Sequence, residues 1–258
     1  MGEVAVTYVG GPTILLEYAG LRILTDPTFD EPGIYPDPDG GQALVKTRGP
    51  ALQPEQLGKV DLVLLSHHHH EDNLDIRGKE FLETVPLTLT TRVGANELGG
   101  NALGLAPGEG KNVGVVRVTA TPALHGPAEL DEVLGPVIGF RLEALDAPTA
   151  WFSGDNSSLE IVDGIVENHG QVELAIINAG AARVEEIDAD LTFGSADAAT
   201  AASRLGAHTV VGIHTEDWEH FSQNRASLEA AFASAGMRDW LVDTPRGTRV
   251  VIHPKPRP

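Results

Sequence analysis

The stretch Val60-Asp61-Leu62-Val63-Leu64-Leu65-Ser66-His67-His68-His69-His70-Glu71-Asp72-Asn73-Leu74-Asp75 decides how this chain is read. Its first six residues are largely apolar, the pattern of a buried strand. The ten that follow carry four of the chain's ten histidines and three acids. A strand that ends in imidazoles and carboxylates places metal ligands at the edge of a sheet. Imidazole with carboxylate suits zinc first, with manganese or iron as alternatives. The competing reading is a solvated polar turn, but four consecutive histidines do nothing for a turn.

Three other apolar segments end the same way. Val115 to Pro122 leads to Ala123-Leu124-His125-Gly126. Thr149 to Phe152 leads to Ser153-Gly154-Asp155-Asn156. Val210 to Ile213 leads to His214-Thr215-Glu216-Asp217-Trp218. Taken alone, His125 reads as a capped or solvent-facing histidine and Asp155 as a turn residue. Four strands that each deliver a His or Asp at one end describe a shared edge, where open α/β sheets place their sites. Together with the histidine run, His125, Asp155 and His214 become metal-ligand candidates.

Outward from these segments the chain reads as β-rich first and β-α alternating later, a layered α/β protein. Strands are expected at Val4 to Val9, Thr13 to Tyr18, Leu21 to Thr25, Val60–Leu65, Leu87–Thr90, Val113–Ala120, Val137–Leu142, Thr149–Ser153, Leu174–Asn178 and Val210–Ile213. Helices are expected from Ser157 or Ser158 to Asn168, over Ala196–Leu205 capped by Ser195, and over Gln223–Ala235 capped by Ser222. Each has a polar start and a glycine stop. Asp26 to Pro54 is rich in Pro, Gly and Asp and reads as a long loop, either a lid or a disordered insertion.

The 258 residues suffice for a sizeable core and are taken as one domain over 1–258. With 41% hydrophobic residues the chain is globular, not disordered. A formal net charge of −19 argues against nucleic acid and anionic membranes as partners. The chain has no cysteine, which excludes thiolate metal sites and a cysteine nucleophile. No apolar run is long enough to span a membrane. The opening Met1-Gly2-Glu3-Val4 lacks a signal-peptide pattern, and Val6 argues against acylation of Gly2. A cytoplasmic location is expected; the oligomeric state is left open.

Over nearly its whole length the chain resembles the metallo-β-lactamase superfamily. Within it, the likeness is to the branch of metal-dependent hydrolases that includes ascorbate-6-phosphate lactonase and the phospholipase D acting on N-acylphosphatidylethanolamine. Gly11-Pro12-Thr13-Ile14-Leu15-Leu16-Glu17 and Ile23-Leu24-Thr25-Asp26-Pro27 look like that branch's opening hairpin. Ser66 to Asp75 lies where the family carries His-x-His-x-Asp-His, and Trp218-Glu219-His220-Phe221 resembles a signature in part of the branch. The resemblance implies a four-layer αββα sandwich with one or two metals at its edge. One metal would take two motif histidines and His125. The other would take the motif aspartate, a motif histidine and His214, with Asp155 bridging.

The register of the motif is open. Counting from His68 gives His68-x-His70-x-Asp72-Asn73, with Asn in place of the last histidine. Counting from His67 keeps the serine that usually precedes the first histidine but changes two positions. A mixed use of His67 and His70 with Asp72 is the third option. The frame ending in Asp72-Asn73 is preferred because it keeps the acid as Asp. The candidate ligands are thus His67, His68, His70, Asp72, His125, Asp155 and His214, with His69 outside the ligand set. Asp26 and Asp30 are candidates to orient ligand histidines. Trp218 and His220 are candidates to line a substrate pocket. Lys46 and Arg48 could meet an anionic substrate, although a solvated loop is the simpler reading. His169, His208 and His253 read as surface or packing residues.

The chemistry implied is metal-activated water, with Asp72 as the catalytic residue that orients it and shuttles its proton. The expected function is hydrolysis of a small-molecule ester, lactone, amide or phosphodiester. A metal-binding or sensing protein without turnover is the alternative that Asn73 raises. A nuclease is a further alternative, disfavoured by the charge and the lack of a basic stripe.

Overall fold

The computed structural model describes residues 3–37 and 40–253. Met1 and Gly2, on which the signal-peptide and acylation readings fall, lie outside the described residues, as do Pro38 and Asp39 of the proline-rich loop. The chain runs β1 (Val4–Gly10), β2 (Thr13–Tyr18), β3 (Leu21–Thr25), β4 (Gly33–Tyr35), β5 (Leu44–Lys46), β6 (Leu62–Leu64), α1 (Ile76–Leu82), β7 (Thr88–Thr91), α2 (Arg92–Leu98), β8 (Ala102–Leu105), β9 (Gly110–Val113), β10 (Val116–Pro122), α3 (Asp131–Leu134), β11 (Ile138–Glu143), β12 (Ala150–Phe152), α4 (Leu159–His169), β13 (Leu174–Asn178), α5 (Ser195–Leu205), β14 (Thr209–Ile213), α6 (Arg225–Ser234) and β15 (Arg249–Ile252). One sheet has the order β15-β1-β2-β3-β6-β7-β8 and the other β14-β13-β12-β11-β10-β9.

The strands read as continuous apolar runs because both faces are buried. Along β6, Leu62 and Leu64 enter the core between the sheets, while Val63 turns to the outer face. Along β13, Leu174 and Ile176 face the other sheet, while Ala175 and Ile177 face helices. Val6, Ile14, Leu16 and Ile23 of the first sheet share one cluster with Val118, Phe140, Phe152 and Ile176 of the second. Outside the second sheet lie Val162 and Ile165 of α4, Leu228 and Phe232 of α6, and the small residues Ala198 and Ala202 of α5. Outside the first sheet, Phe81 and Leu82 of α1 cover Leu24, Val63 and Leu65. The result is the expected αββα sandwich. Burial of each such side chain contributes roughly 1.5–3 kcal/mol against the entropy of ordering the chain.

Strand direction positions the site. β12, β13 and β14 are parallel, and β10 points the same way because antiparallel β11 separates it from β12. The segments that follow β10, β12 and β14 therefore emerge at one edge. The segment after β6 joins them there, since Ile138 N donates to Ser66 O at 3.1 Å and His214 N to Gly11 O at 2.8 Å, stitching the sheets together. Among the described residues, no helix is long and apolar enough to cross a membrane.

Several local expectations change. The stretch from Asp26 to Pro54 is not wholly irregular, for β4 and β5 pair within it as a hairpin. The hairpin is held by Lys46, whose Nζ lies 2.7 Å from Asp75 Oδ2 with both side chains buried. Val113–Ala120 is not one strand: Gly114, at φ +57°, turns the chain between antiparallel β9 and β10. Helices α1 and α2 and strands β8 and β15 were not anticipated, being short or weakly periodic. Gly194, not Ser195, precedes α5, and Asn224, not Ser222, caps α6 through Ser227 N. Ser158 caps α4 as expected, accepting from Ile161 N.

Candidate metal centre

Six side chains converge at the shared edge in two groups. His67, His70 and His125 form one, and Asp72, Asp155 and His214 the other, with the ligand atoms of each group within 4.8 Å of one another. Ligands about 2.0–2.2 Å from a tetrahedral zinc are themselves little more than 3 Å apart, so both groups are of the right size.

In the first group, His67 Nε2 faces His70 Nδ1 at 3.0 Å. Ser66 Oγ lies 2.8 Å from both His67 Nδ1 and Asp26 Oδ2. Its single proton, given to the Asp26 carboxylate, leaves a lone pair to accept from His67 Nδ1–H. That tautomer turns the lone pair of Nε2 toward the group. His125 is set the same way, its Nδ1 donating to the Leu191 carbonyl at 2.8 Å. Burial first, then the neighbouring imidazoles, holds His67 and His70 well below the ordinary histidine range. Both are neutral, as metal ligands must be.

Asp155 lies between the groups. Its Oδ2 is 3.9 Å from His67 Nε2, and its Oδ1 is 3.5 Å from His214 Nδ1. Asn178, the last residue of β13, orients it by donating from Nδ2 to Oδ1 at 2.6 Å. Gly154 is needed before it: its φ is +55°, and a Cβ there would stand 2.8 Å from Ser66 Cβ. Asp72 Oδ2 takes two imidazoles, His214 Nε2 at 3.1 Å and His220 Nε2 at 3.0 Å. Burial raises the Asp72 pKa, but those two hydrogen bonds outweigh it and hold the carboxyl well below its usual range. For His214, burial pulls downward, yet Asp155 and Asp72 outweigh it and the pKa is raised. His214 adopts φ +58°, a strained region for a non-glycine residue.

The donor set fits a cation. Asp155 Oδ2 and the Nδ1 atoms of His214 and His220 are buried without a hydrogen-bond partner, which is costly unless a ligand engages such groups. Asp26 ties both ends of the ligand turn, accepting from Ser66 N at 2.6 Å and Asn73 Nδ2 at 2.9 Å. Burial pushes Asp26 up to about 7, opposed by those donors.

The structure separates the candidates of the histidine run. His67 and His70 converge, the mixed register, whereas His68 does not join them. Its Nε2 turns outward to Glu97 Oε2 at 2.8 Å. Of the preferred frame, His70 and Asp72 reach the two groups and His68 does not, because the turn after Ser66 aims the adjacent imidazoles of His67 and His68 apart. His69 bonds the Leu134 carbonyl. Asn73 points to Asp26, away from both groups. Asp30 does not touch a ligand histidine; it accepts from Arg77 N and Tyr35 Oη. Lys46 is committed to Asp75 and lies over the Trp218 ring, 5.5 Å from its centroid. Trp218 packs on Tyr35 instead of lining the cavity, while His220 does line it. His70, Asp72, His125 and His220 all open into one cavity of about 500 Å³. Asn178 and the Leu191 carbonyl were missed; an Asn at a strand end and a backbone oxygen carry no readable signal.

Comparison with known proteins agrees with this architecture. A family model described as the beta-lactamase superfamily domain matches residues 21–215. The chain belongs to that superfamily. A mitochondrial N-acyl-phosphatidylethanolamine-hydrolyzing phospholipase D from Saccharomyces cerevisiae is 27% identical over 258 aligned residues, covering 90% of this chain and 53% of the yeast protein. This chain thus spans about half the length of that relative. A UPF0173 metal-dependent hydrolase from Opitutus terrae is 28% identical over 219 residues, covering 81% of this chain and 83% of its own. The solved structure of an isothiocyanate hydrolase from Delia radicum gut bacteria superposes with a TM-score of 0.82 at 23% identity, over 96% of this chain and 99% of the other.

Proposed function

We propose that this metal-dependent hydrolase holds two divalent ions, zinc first, at the paired groups and cleaves a small-molecule ester, lactone, amide or phosphodiester. The observation that carries the reading is Asp155, whose two carboxylate oxygens face the two groups separately. A bound divalent ion lowers the pKa of the water it holds from about 15.7 to roughly 7, supplying hydroxide near neutral pH. The chain's own residues do the rest. Asp72, kept ionised by His214 and His220, is the carboxylate placed to orient the attacking water and to pass its proton to the leaving group. His67 and His125 offer ring nitrogens whose orientation is fixed by Ser66 and the Leu191 carbonyl, and His70 stands beside them, 3.0 Å from His67 Nε2. A cavity beside these groups gives a small substrate its place. The names of the relatives bring a phospholipid and an isothiocyanate into the range of substrates to assay. A nucleic-acid substrate is disfavoured by the −19 charge.

The purified protein is expected to contain transition metal, and chelation to lower its melting temperature. Saturation at a hundredfold over Kd stabilises by about 2.7 kcal/mol. Metal analysis and thermal melts check this. No metal in the native sample, with identical melts before and after chelation, refutes the site. A panel of ester, lactone, amide, isothiocyanate and phosphodiester substrates then tests the activity, and no turnover by metal-loaded protein favours the non-catalytic reading.

That second reading is favoured by one observation, the Asn73 substitution, which leaves the group around Asp72 without a motif histidine. His220 stands where a replacement donor is needed, 3.0 Å from Asp72 Oδ2. Calorimetric titration of metal-free protein is expected to show two zinc equivalents. In His220→Ala, one of the two should weaken by at least about 10–100-fold, the loss that even outer-shell partners cause. Two tight sites surviving in that variant exclude His220 as a donor.

A further inference from the structure

We infer that the substrate carries an uncharged apolar group beyond the bond that is cleaved, and no negative charge there. The inference rests on the metal centre proposed above and concerns the remainder of the same cavity. Besides the histidines, the wall includes Leu44 of the β4–β5 hairpin and Val184, Ile187 and Leu191 of the segment between β13 and α5. The two segments are joined by backbone amides donating to side-chain oxygens: Gln42 N to Glu186 Oε1 and Glu185 N to Gln42 Oε1, each at 2.7 Å. Leu191 links the wall to the site, since its carbonyl orients His125 while its side chain lines the cavity. An apolar substrate group in this cavity would thus sit against a residue that also touches His125.

Charge points the same way. Among the described residues, the charged side chains that line this cavity are carboxylates, Glu71 and Glu186 included, with no lysine or arginine. The basic residues of the neighbouring loop do not line it. Lys46 is buried against Asp75, and Arg48 borders a different cleft with Tyr8 and Glu216. A substrate anion at the cleaved bond would meet the metals. An anion farther out would meet carboxylates and leucines, and would lose its hydration without a partner.

Three hydroxamates, which chelate active-site metals without turnover, test this with zinc-loaded protein by calorimetry. They are acetohydroxamic acid, hexanohydroxamic acid and the monohydroxamate of adipic acid, which adds a terminal carboxylate. Hexanohydroxamic acid is expected to bind at least about tenfold tighter than acetohydroxamic acid, since each buried methylene contributes. The adipic compound is expected to bind at least about tenfold weaker than hexanohydroxamic acid, and Glu186→Gln to narrow that gap severalfold. Equal binding of the two-carbon and six-carbon compounds, or a carboxylate tail bound as well as the neutral one, overturns the inference. So does metal-loaded protein that binds none of the three. Failure to take up zinc is read separately, by metal analysis before any hydroxamate is added. It would refute the metal centre and this inference with it.

Discussion

Asp72→Ala is expected to abolish hydrolysis while leaving the fold in place. Asp72 is 4% exposed, and its carboxylate is hydrogen-bonded to His214 and His220. It supports no strand or helix, so its loss spares the packed clusters. On the proposed mechanism, what disappears is one metal donor and the carboxylate that handles the proton. Proton transfer by a positioned side chain is worth about 10²–10⁴-fold, so kcat/KM should fall at least that far. Asp72→Asn keeps the shape and removes the charge, and should lose nearly as much. Circular dichroism and melting of both variants separate catalytic loss from unfolding. Retention of more than about a tenth of the turnover would make the acid a packing residue and reopen the motif register.

Asp75→Ala should be the most destabilising single change near the site. Asp75 is 1% exposed and its carboxylate has four partners. It caps α1 through Gly78 N at 2.8 Å, accepts from Phe29 N at 2.9 Å and Asp30 N at 2.7 Å, and pairs with Lys46 Nζ at 2.7 Å. Removing it strands a lysine ammonium whose side chain is only 2% exposed. Breaking one partner of a buried pair costs about 3–5 kcal/mol, and the lost cap about 1 kcal/mol more. Urea unfolding measures it. The double variant Asp75→Asn/Lys46→Met should recover part of the loss, because no charge is then left unpaired. A loss below about 1 kcal/mol in Asp75→Ala would mean that the pair is solvated and does not hold the hairpin.

The site's broad plan was legible because it rests on local pattern. Apolar runs ending in His or Asp mark strands that leave a sheet edge, and a strand buried on both faces shows itself as an uninterrupted run, as in β6 and β13. His67, His68, His70, Asp72, His125, Asp155 and His214 could be marked for the site from that pattern, and the family resemblance arranged them around metals. The sequence by itself determined the layered fold and the four segments that build the site. Only the tertiary structure decided which imidazoles meet. His67 and His68 are equivalent as letters, but the turn after Ser66 aims one at His70 and the other at Glu97. It also set His220 against Asp72, across 148 positions of chain, and spent Lys46 on Asp75 instead of on a substrate. Such pairings depend on which strand ends and loops the packed sheets bring within hydrogen-bond reach. That is a property of the folded layers, and no local periodicity encodes it.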